Sequence, residues 1–262
     1  MNMSGSRALY KWIGFKTIII REFSRIVRIW GQTIVPPAVT ATLYFIIFGS
    51  LIGRRVGQVG GYDYMQFIAP GLIMMTVITN SYANVVSSFF GAKFGKHLEE
   101  LLVSPLPNWL IVAGYVGGGI MRGVLVGSVV TIVALFFTRL ALTHVLAIIS
   151  AVFLTSIVFS LGGFINALFA TNFDQISWFP TFVLTPLTYL GGVFYSITML
   201  PGWAHIASHA NPILYMVSAF RYGFLGTSDV DLKLAYGIMV SAAVGMFALA
   251  VTLLNRGTGT RD

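Results

Sequence analysis

A chain of 262 residues that is 56% hydrophobic and 9% charged is not an ordinary soluble domain, where about a quarter of residues are charged; it reads as an integral membrane protein. It has no cysteine, which excludes disulfides, thiolate metal sites and thiol catalysis. Its net charge of +8 fits a positive-inside bias and contact with anionic lipid headgroups rather than nucleic acid.

The start, MNMSGSRALYKW, shows no cleavable apolar core, so no signal peptide is expected. Residues 8–30 predict an amphipathic helix. At about 100° per residue, Leu9, Trp12, Ile13, Ile19, Ile20, Phe23, Val27 and Trp30 fall on one side, with Lys11, Arg21, Arg25 and Arg28 opposite. Such a helix is expected to lie in the inner membrane interface. Lys16 lands on the apolar side and has to snorkel. Six Lys/Arg and Glu22 between positions 7 and 28 argue against a span here.

The first span is expected over 33–53, with Pro36 and Pro37 near its start, where a helix tolerates proline best. Arg54, Arg55 and a glycine-rich turn follow. The second span, 64–90, carries a polar patch of Asn80, Tyr82 and Asn84. Residues 91–108, GAKFGKHLEELLVSPLPN, form the most polar internal loop. Lys96 to Val103 predicts a short helix with Leu98, Leu101 and Leu102 on one face and Glu99 and Glu100 beside it. GAKFGK is no phosphate loop: three residues rather than four separate its glycines, and His97 stands where Ser or Thr is needed. No ATP site is therefore expected on this chain.

The third span, 109–138, contains Arg122. Its glycines, Gly114 and Gly118, then Gly119, Gly123 and Gly127, recur every four residues and admit a close neighbour. An intramembrane arginine costs about 2.5–3.5 kcal/mol on insertion scales. Arg122 is thus either a cavity or gate residue, or a structural one paired with carbonyls or with Asn166. The fourth span is expected over 143–170, with an inner turn at Asp174.

Gln175–Phe220 holds 46 residues without a charged side chain, too long for one span of about 20. Pro180, Pro186, Pro201, Pro212 and Gly191-Gly192 interrupt it. Broken backbone at membrane depth survives only where protein or a watery cavity satisfies it. The expectation is a fifth span at 176–197, a re-entrant segment at 201–225 on the outer face, and a sixth span at 234–254. His205 and His209 sit on one helical face, but no further Cys, Asp or Glu is near, and no metal site is assigned. The aromatics of the stretch, among them Trp178, Phe179, Phe182 and Trp203, either line a path or form an interfacial belt. Tyr189, Phe194 and Tyr195 join Asn80, Tyr82, Asn84 and Arg122 as pathway candidates. No Asp or Glu falls within a predicted span, which argues against an ion-coupled carrier.

Six spans put both termini on one side. That side carries ten Lys/Arg, Arg256 and Arg261 included, against five at Arg54, Arg55, Arg139, Arg221 and Lys233, and is therefore cytoplasmic. A seventh crossing at 204–224 would trade Arg221 and Lys233 for Arg256 and Arg261 and give the same count, so the bias does not exclude it.

PPAVTATLYFIIFG (36–49), QFIAPGLIMM (66–75), SSFFGAKF (87–94), LEELLVSPLP (98–107), PTFVLTPLTYLGGVFYS (180–196) and NPILYMVSAFRYGFLG (211–226) resemble, in order and spacing, the ABC-2 type transport permease family and its YadH-type branch. These are membrane subunits of bacterial ATP-driven exporters, and the likeness runs nearly end to end. The resemblance implies an all-α single-domain permease of the bacterial inner membrane, acting as a homodimer with two copies of a cytoplasmic ABC ATPase. ATP and Mg would sit on that partner, with no cofactor on this chain. Residues 91–108 would be the coupling loop, docking through Lys96, Leu98, Glu99, Glu100, Leu101 and Leu102. The first and fifth helices would border the path of a drug, lipid or lipid-linked glycan. A non-transporting scaffold and an ion-coupled carrier are the alternatives.

Overall fold

The computed structural model describes residues 3–259. Arg261, counted above on the inner side, lies outside the described residues, as do the side chains of Arg7 and Arg54. Helix α1 covers Met3–Arg28 and α2 Trp30–Tyr44; wide π turns over Phe45–Ile52 continue α2 into α3, Gly53–Val56. A small antiparallel hairpin, β1 Gln58–Val59 and β2 Tyr62–Asp63, leads into α4, Tyr64–Phe94. Then come α5 His97–Val103, α6 Asn108–Phe137 and α7 Val145–Phe169. Helix α8, Phe173–Phe179, passes through a π turn at Pro180–Leu184 into α9, Thr185–Tyr189. A short 3-10 turn at Ile197–Met199, α10 Gly202–His209, α11 Pro212–Leu225 and α12 Leu232–Asn255 complete the chain.

Among the described residues, five helical runs are long and apolar enough to cross a membrane: Trp30–Gly49, Tyr64–Phe94, Asn108–Phe137, Val145–Phe169 and Leu232–Asn255. The segment expected as a span at 176–197 differs. Its helical run, Phe173–Tyr189, rises about 25 Å at 1.5 Å per residue, short of a hydrocarbon core of about 30 Å. Glycine sets the end. Gly192 adopts a φ of 72°, and a Cβ on Gly191 would come within 2.6 Å of Ile213. The helix stops at Tyr189 because the backbone must turn there.

Helix α4 is the hub. It buries Phe67, Ile68, Ile73, Val77, Val85 and Phe89 among α6, α7 and α11. Small residues let these helices approach. Gly119 faces Ser160 and Val85, Gly123 faces Ser81 and Ser156, and Gly127 faces Val77. On α7, a Cβ at Gly163 would lie 2.5 Å from the Tyr82 carbonyl oxygen. The glycine repeat of α6 therefore does bring neighbours close, as small faces do.

The end of the bundle beside the α9–α10 break is closed by Arg221, which the sequence alone places among outer-side loop charges. It is 1% exposed, on α11. Its guanidinium donates to the Gly192 carbonyl at 2.6 Å and to Asp229 Oδ2 at 2.8 Å, and lies 3.9 Å from the centre of the Phe67 ring. Asp229 Oδ1 also accepts from Ser196 at 2.8 Å. Other side chains serve the broken backbone in the same way: Asn211 donates to the Leu187 carbonyl at 2.6 Å, and Tyr64 to that of Phe194 at 3.2 Å. Removing one partner of a buried pair leaves an uncompensated charge, at a cost of about 3–5 kcal/mol. Asp229→Ala is expected to lower stability by that amount in detergent unfolding measurements, whereas Asp231→Ala, a helix cap in water, costs about 1 kcal/mol.

Candidate functional site

Helix α1 packs parallel to α6. Ile18 lies on Gly114, where a Cβ would come within 2.6 Å, and Glu22 lies on Gly118, where it would come within 2.8 Å. Further on, Phe45 stacks on Phe137 with centroids 5.5 Å apart, so α1 and α2 follow α6 along its length. Helix α1 was expected to lie in the interface; its buried stripe, Ile18, Glu22 and Ile26, is seated on the protein. The apolar side read from the sequence points outward, with Leu9, Trp12, Ile13, Ile20, Phe23, Val27 and Trp30 exposed. Ile18 and Ile26 thus flank Glu22 on the face toward the protein, while Lys11, Lys16, Arg21 and Arg28 are exposed along with the apolar stripe.

The inward face builds a polar junction. Glu22 is fully buried. It accepts from the Ser88 hydroxyl, from Asn84 Nδ2 at 3.4 Å and from Arg25 Nη2 at 3.3 Å, and lies 3.6 Å from Arg21 Nη2. Arg25 also donates to Asn84 Oδ1 at 2.7 Å, to the Asn84 carbonyl at 2.8 Å and to Ser87 at 3.2 Å. Arg21 donates to the Tyr115 hydroxyl. Burying a carboxylate costs several kcal/mol unless it is paired and hydrogen-bonded, and this one is held from α1 and α4 at once. Sequence reasoning treated Glu22 only as an obstacle to a span. The available signal was that Glu22 is the sole acid before Asp63.

Arg122 sits one turn beyond Gly118 on α6. Its Nε and that of Arg25 are buried without hydrogen-bond partners. The suggested pairing with Asn166 does not form, because Asn166 donates to the Tyr82 hydroxyl at 2.7 Å instead.

A cleft of about 700 Å³ separates α1 from the 91–106 segment, lined by Thr17, Arg21, Glu22, Ser88, His97 and Glu100 among others. Helix α5 forms its far wall. Leu98, expected as a docking anchor, is 3% exposed and belongs to the chain's own core, with Leu101 and Leu102 partly buried beside it. Leu98 therefore holds α5 on the protein. What α5 presents outward is Glu99, Glu100 and Val103, the last 87% exposed. Lys96 enters α5 with a left-handed φ of 60°, which costs about 1–2 kcal/mol for a residue with a Cβ. Just before it, Lys93 donates to the carbonyls of Leu168 at 2.9 Å and Ala170 at 2.8 Å, fastening the last turn of α4 to the end of α7.

The remaining pathway candidates separate. Asn80 shares a pocket of about 250 Å³ with Pro36, Thr40 and Tyr44. Tyr82 faces the other way and stacks on Phe179 at 5.7 Å. Near the α9 break, Tyr189 and Tyr44 share a hydrogen bond of 3.0 Å between their hydroxyls, and Phe194 packs on Tyr44, Phe48 and Tyr189. Tyr195 is half-buried in the same turn.

The profile of the ABC-2 type transporter family matches residues 13–225, which take in this junction, α5 and α11. The chain is 55% identical over 251 residues to the inner membrane transport permease YadH of Escherichia coli K12, covering 96% of this chain and 98% of that protein. It is 28% identical over 218 residues to nodulation protein J of Rhizobium leguminosarum bv. trifolii, covering 82% of each.

The seat of α1 on α6 has a direct test. Gly118→Leu forces side-chain atoms into Glu22 and is expected to lift α1, raising hydrogen exchange over residues 14–26 at least tenfold, equivalent to about 1.4 kcal/mol. Gly237→Leu is the control, since nothing lies within 4 Å of that position, and it leaves exchange in α1 unchanged.

Proposed function

The chain belongs to the ABC-2 type transporter family, and from that membership we propose that it is the permease subunit of an ATP-driven exporter in the bacterial inner membrane. Two copies form the pathway above two copies of a cytoplasmic ABC ATPase, which carries the ATP and Mg. Both termini face the cytoplasm. The cargo class is amphipathic: a drug, a lipid or a lipid-linked glycan.

The observation that carries this reading is α5. It is a short helix glued to the chain by Leu98 while it offers Glu99, Glu100 and Val103 to the outside. It shares one cleft with α1. A partner pressing there would meet an apolar tip, two carboxylates and the basic rim of α1 together. Its push has two routes into the bundle: through Lys93 to the end of α7, and through Glu22 to α4. The outward apolar stripe of α1 suits contact with lipid. The Tyr44–Tyr189 contact joins the helices expected to border the substrate path. ATP hydrolysis has no phosphate loop to occur on in this chain, so its free energy has to enter through such a surface.

Anchors at an interface are each worth about 2 kcal/mol or more when lost. Val103→Asp with Glu99→Lys is therefore expected to weaken co-purification of the ATPase more than tenfold, since about 1.4 kcal/mol is tenfold, while the permease still inserts. Leu98→Ala acts differently and costs about 2–5 kcal/mol of the chain's own stability. The permease purified alone neither binds nor hydrolyses ATP. Nucleotide binding by the lone chain would sink the reading, and normal ATPase binding by the α5 variant would move the docking surface elsewhere.

A further inference from the structure

Helices α1 and α6 meet through repeats of the same length. Ile18 and Glu22, one turn apart on α1, sit on Gly114 and Gly118, one turn apart on α6. The next residue in the α6 series is Arg122. A slide of α1 by one turn toward the C-terminal end of α6, about 5.4 Å, would put Ile18 on Gly118 and Glu22 level with Arg122. One-turn ratchets of one packed element past another are an established kind of switching motion.

The charges are arranged for two pairings. The carboxylate of Glu22 contacts two guanidinium groups, and a third, Arg122, lies one turn beyond its seat. Its contacts with Arg25 and Arg21, 3.3 and 3.6 Å, are longer than the roughly 2.7–2.9 Å of a tight charge-assisted bond. The Nε atoms of Arg25 and Arg122 are buried without partners. Stability alone does not ask for a buried carboxylate, because replacing such a pair by well-packed apolar residues is often neutral or favourable. There is also room for the movement. A groove of about 430 Å³ lies between Phe23 and Ile26 of α1 and Met121, Val124 and Leu125 of α6. Met121, which Ile19 would meet, is an unbranched side chain that adapts to a changing gap. Slack is available at Ile29, where φ −107° and ψ 29° break the helix between α1 and α2.

We propose that Glu22 is a positioning residue with two seats on α6, the present one at Gly118 with Arg25 and Ser88, and a second one turn on with Arg122. Exchange between them passes a push on the cytoplasmic face into the membrane helices. In the second seat Glu22 lets go of Ser88 and Asn84, so α4 is released from α1 as α1 moves. This rests on the reading of the chain as an ATP-driven permease.

The native chain has no cysteine, so spin labels at Tyr10→Cys and Ser128→Cys report α1 against α6. Both positions are exposed. The distance is measured in the complex with the ATPase, nucleotide-free and trapped with ATP and vanadate. The expected result is a shortening of about 5 Å on trapping. Glu22→Gln and Arg122→Leu each abolish the shift while ATPase co-purification stays within about twofold, well below a tenfold loss. The exchanged pair, Glu22→Arg with Arg122→Glu, restores it, which a merely structural role would not do. Should Glu22→Gln fail to accumulate, Arg122→Leu decides, since leucine suits the bilayer better than arginine. A constant distance in the unmodified chain, or a shift that survives both single variants, overturns the two-seat assignment. If the unmodified chain binds no ATPase, the permease reading falls first and the two seats fall with it.

Discussion

The carbonyl of Gly192 belongs to a peptide that no helix can use, and Arg221 answers it. At membrane depth every backbone group needs an internal partner. The chain breaks its backbone between α9 and α10, at Gly191-Gly192 and again before Pro201, so partners have to come from side chains. Arg221 can reach the carbonyl only if its own charge is met, which Asp229 and the Phe67 ring do together. That single cation fixes α11 against α4 and holds the turn after α9 in place. The position of α9 beside α2, and with it the Tyr44–Tyr189 contact, depends on this arrangement.

Helix α4 carries a buried ion pair near each end, and the two are built differently. At the end beside α11 the Arg221 guanidinium makes two short bonds, 2.6 and 2.8 Å, to fixed acceptors. At the other end Glu22 accepts closely from Ser88, but its arginine contacts are longer, 3.3 and 3.6 Å, and arginine nitrogens are left over. Between them lies a seam of serines and glycines where α4, α6 and α7 touch nearly backbone to backbone. Such a seam resists compression but presents few side-chain knobs to lock a register. One end is pinned, the other adjustable, and the middle is smooth.

Much of this was legible in the sequence. The runs at 64–90, 109–138, 143–170 and 234–254 are nearly charge-free, and hydrophobic length alone marks them as helices. The break after Tyr189 was written in Gly191-Gly192 and the prolines, although the helix was expected to reach 197. Partner choice was less legible. The α6 glycines announced a close neighbour but not that Gly114 and Gly118 would take α1 while Gly119, Gly123 and Gly127 took α4 and α7. Helix α1 was read from its apolar stripe, which is exposed; the narrow line that packs on the protein mixes Ile18 and Ile26 with an acid, so periodicity did not mark Glu22 as core. For Leu98 too, periodicity shows which face is apolar, not whether the chain itself or a partner covers it. Arg221 looked like a loop charge because its partners, Gly192 and Asp229, converge only in the folded chain.

The burial of Glu22 also has a consequence for biogenesis. Its hydrogen-bond partners Asn84 and Ser88 lie 62 and 66 residues downstream, and Gly118 is made later still. Helix α1 leaves the ribosome before α4 and α6, yet has no seat until they have been threaded into the bilayer. Through that interval its charges stay with water and headgroups, and the cleft it shares with α5 does not exist. Any cytoplasmic partner that recognises α1 and α5 together would find nothing to hold on a half-made chain. The order of translation would then keep a motor subunit from engaging a permease before its first three membrane helices are in place.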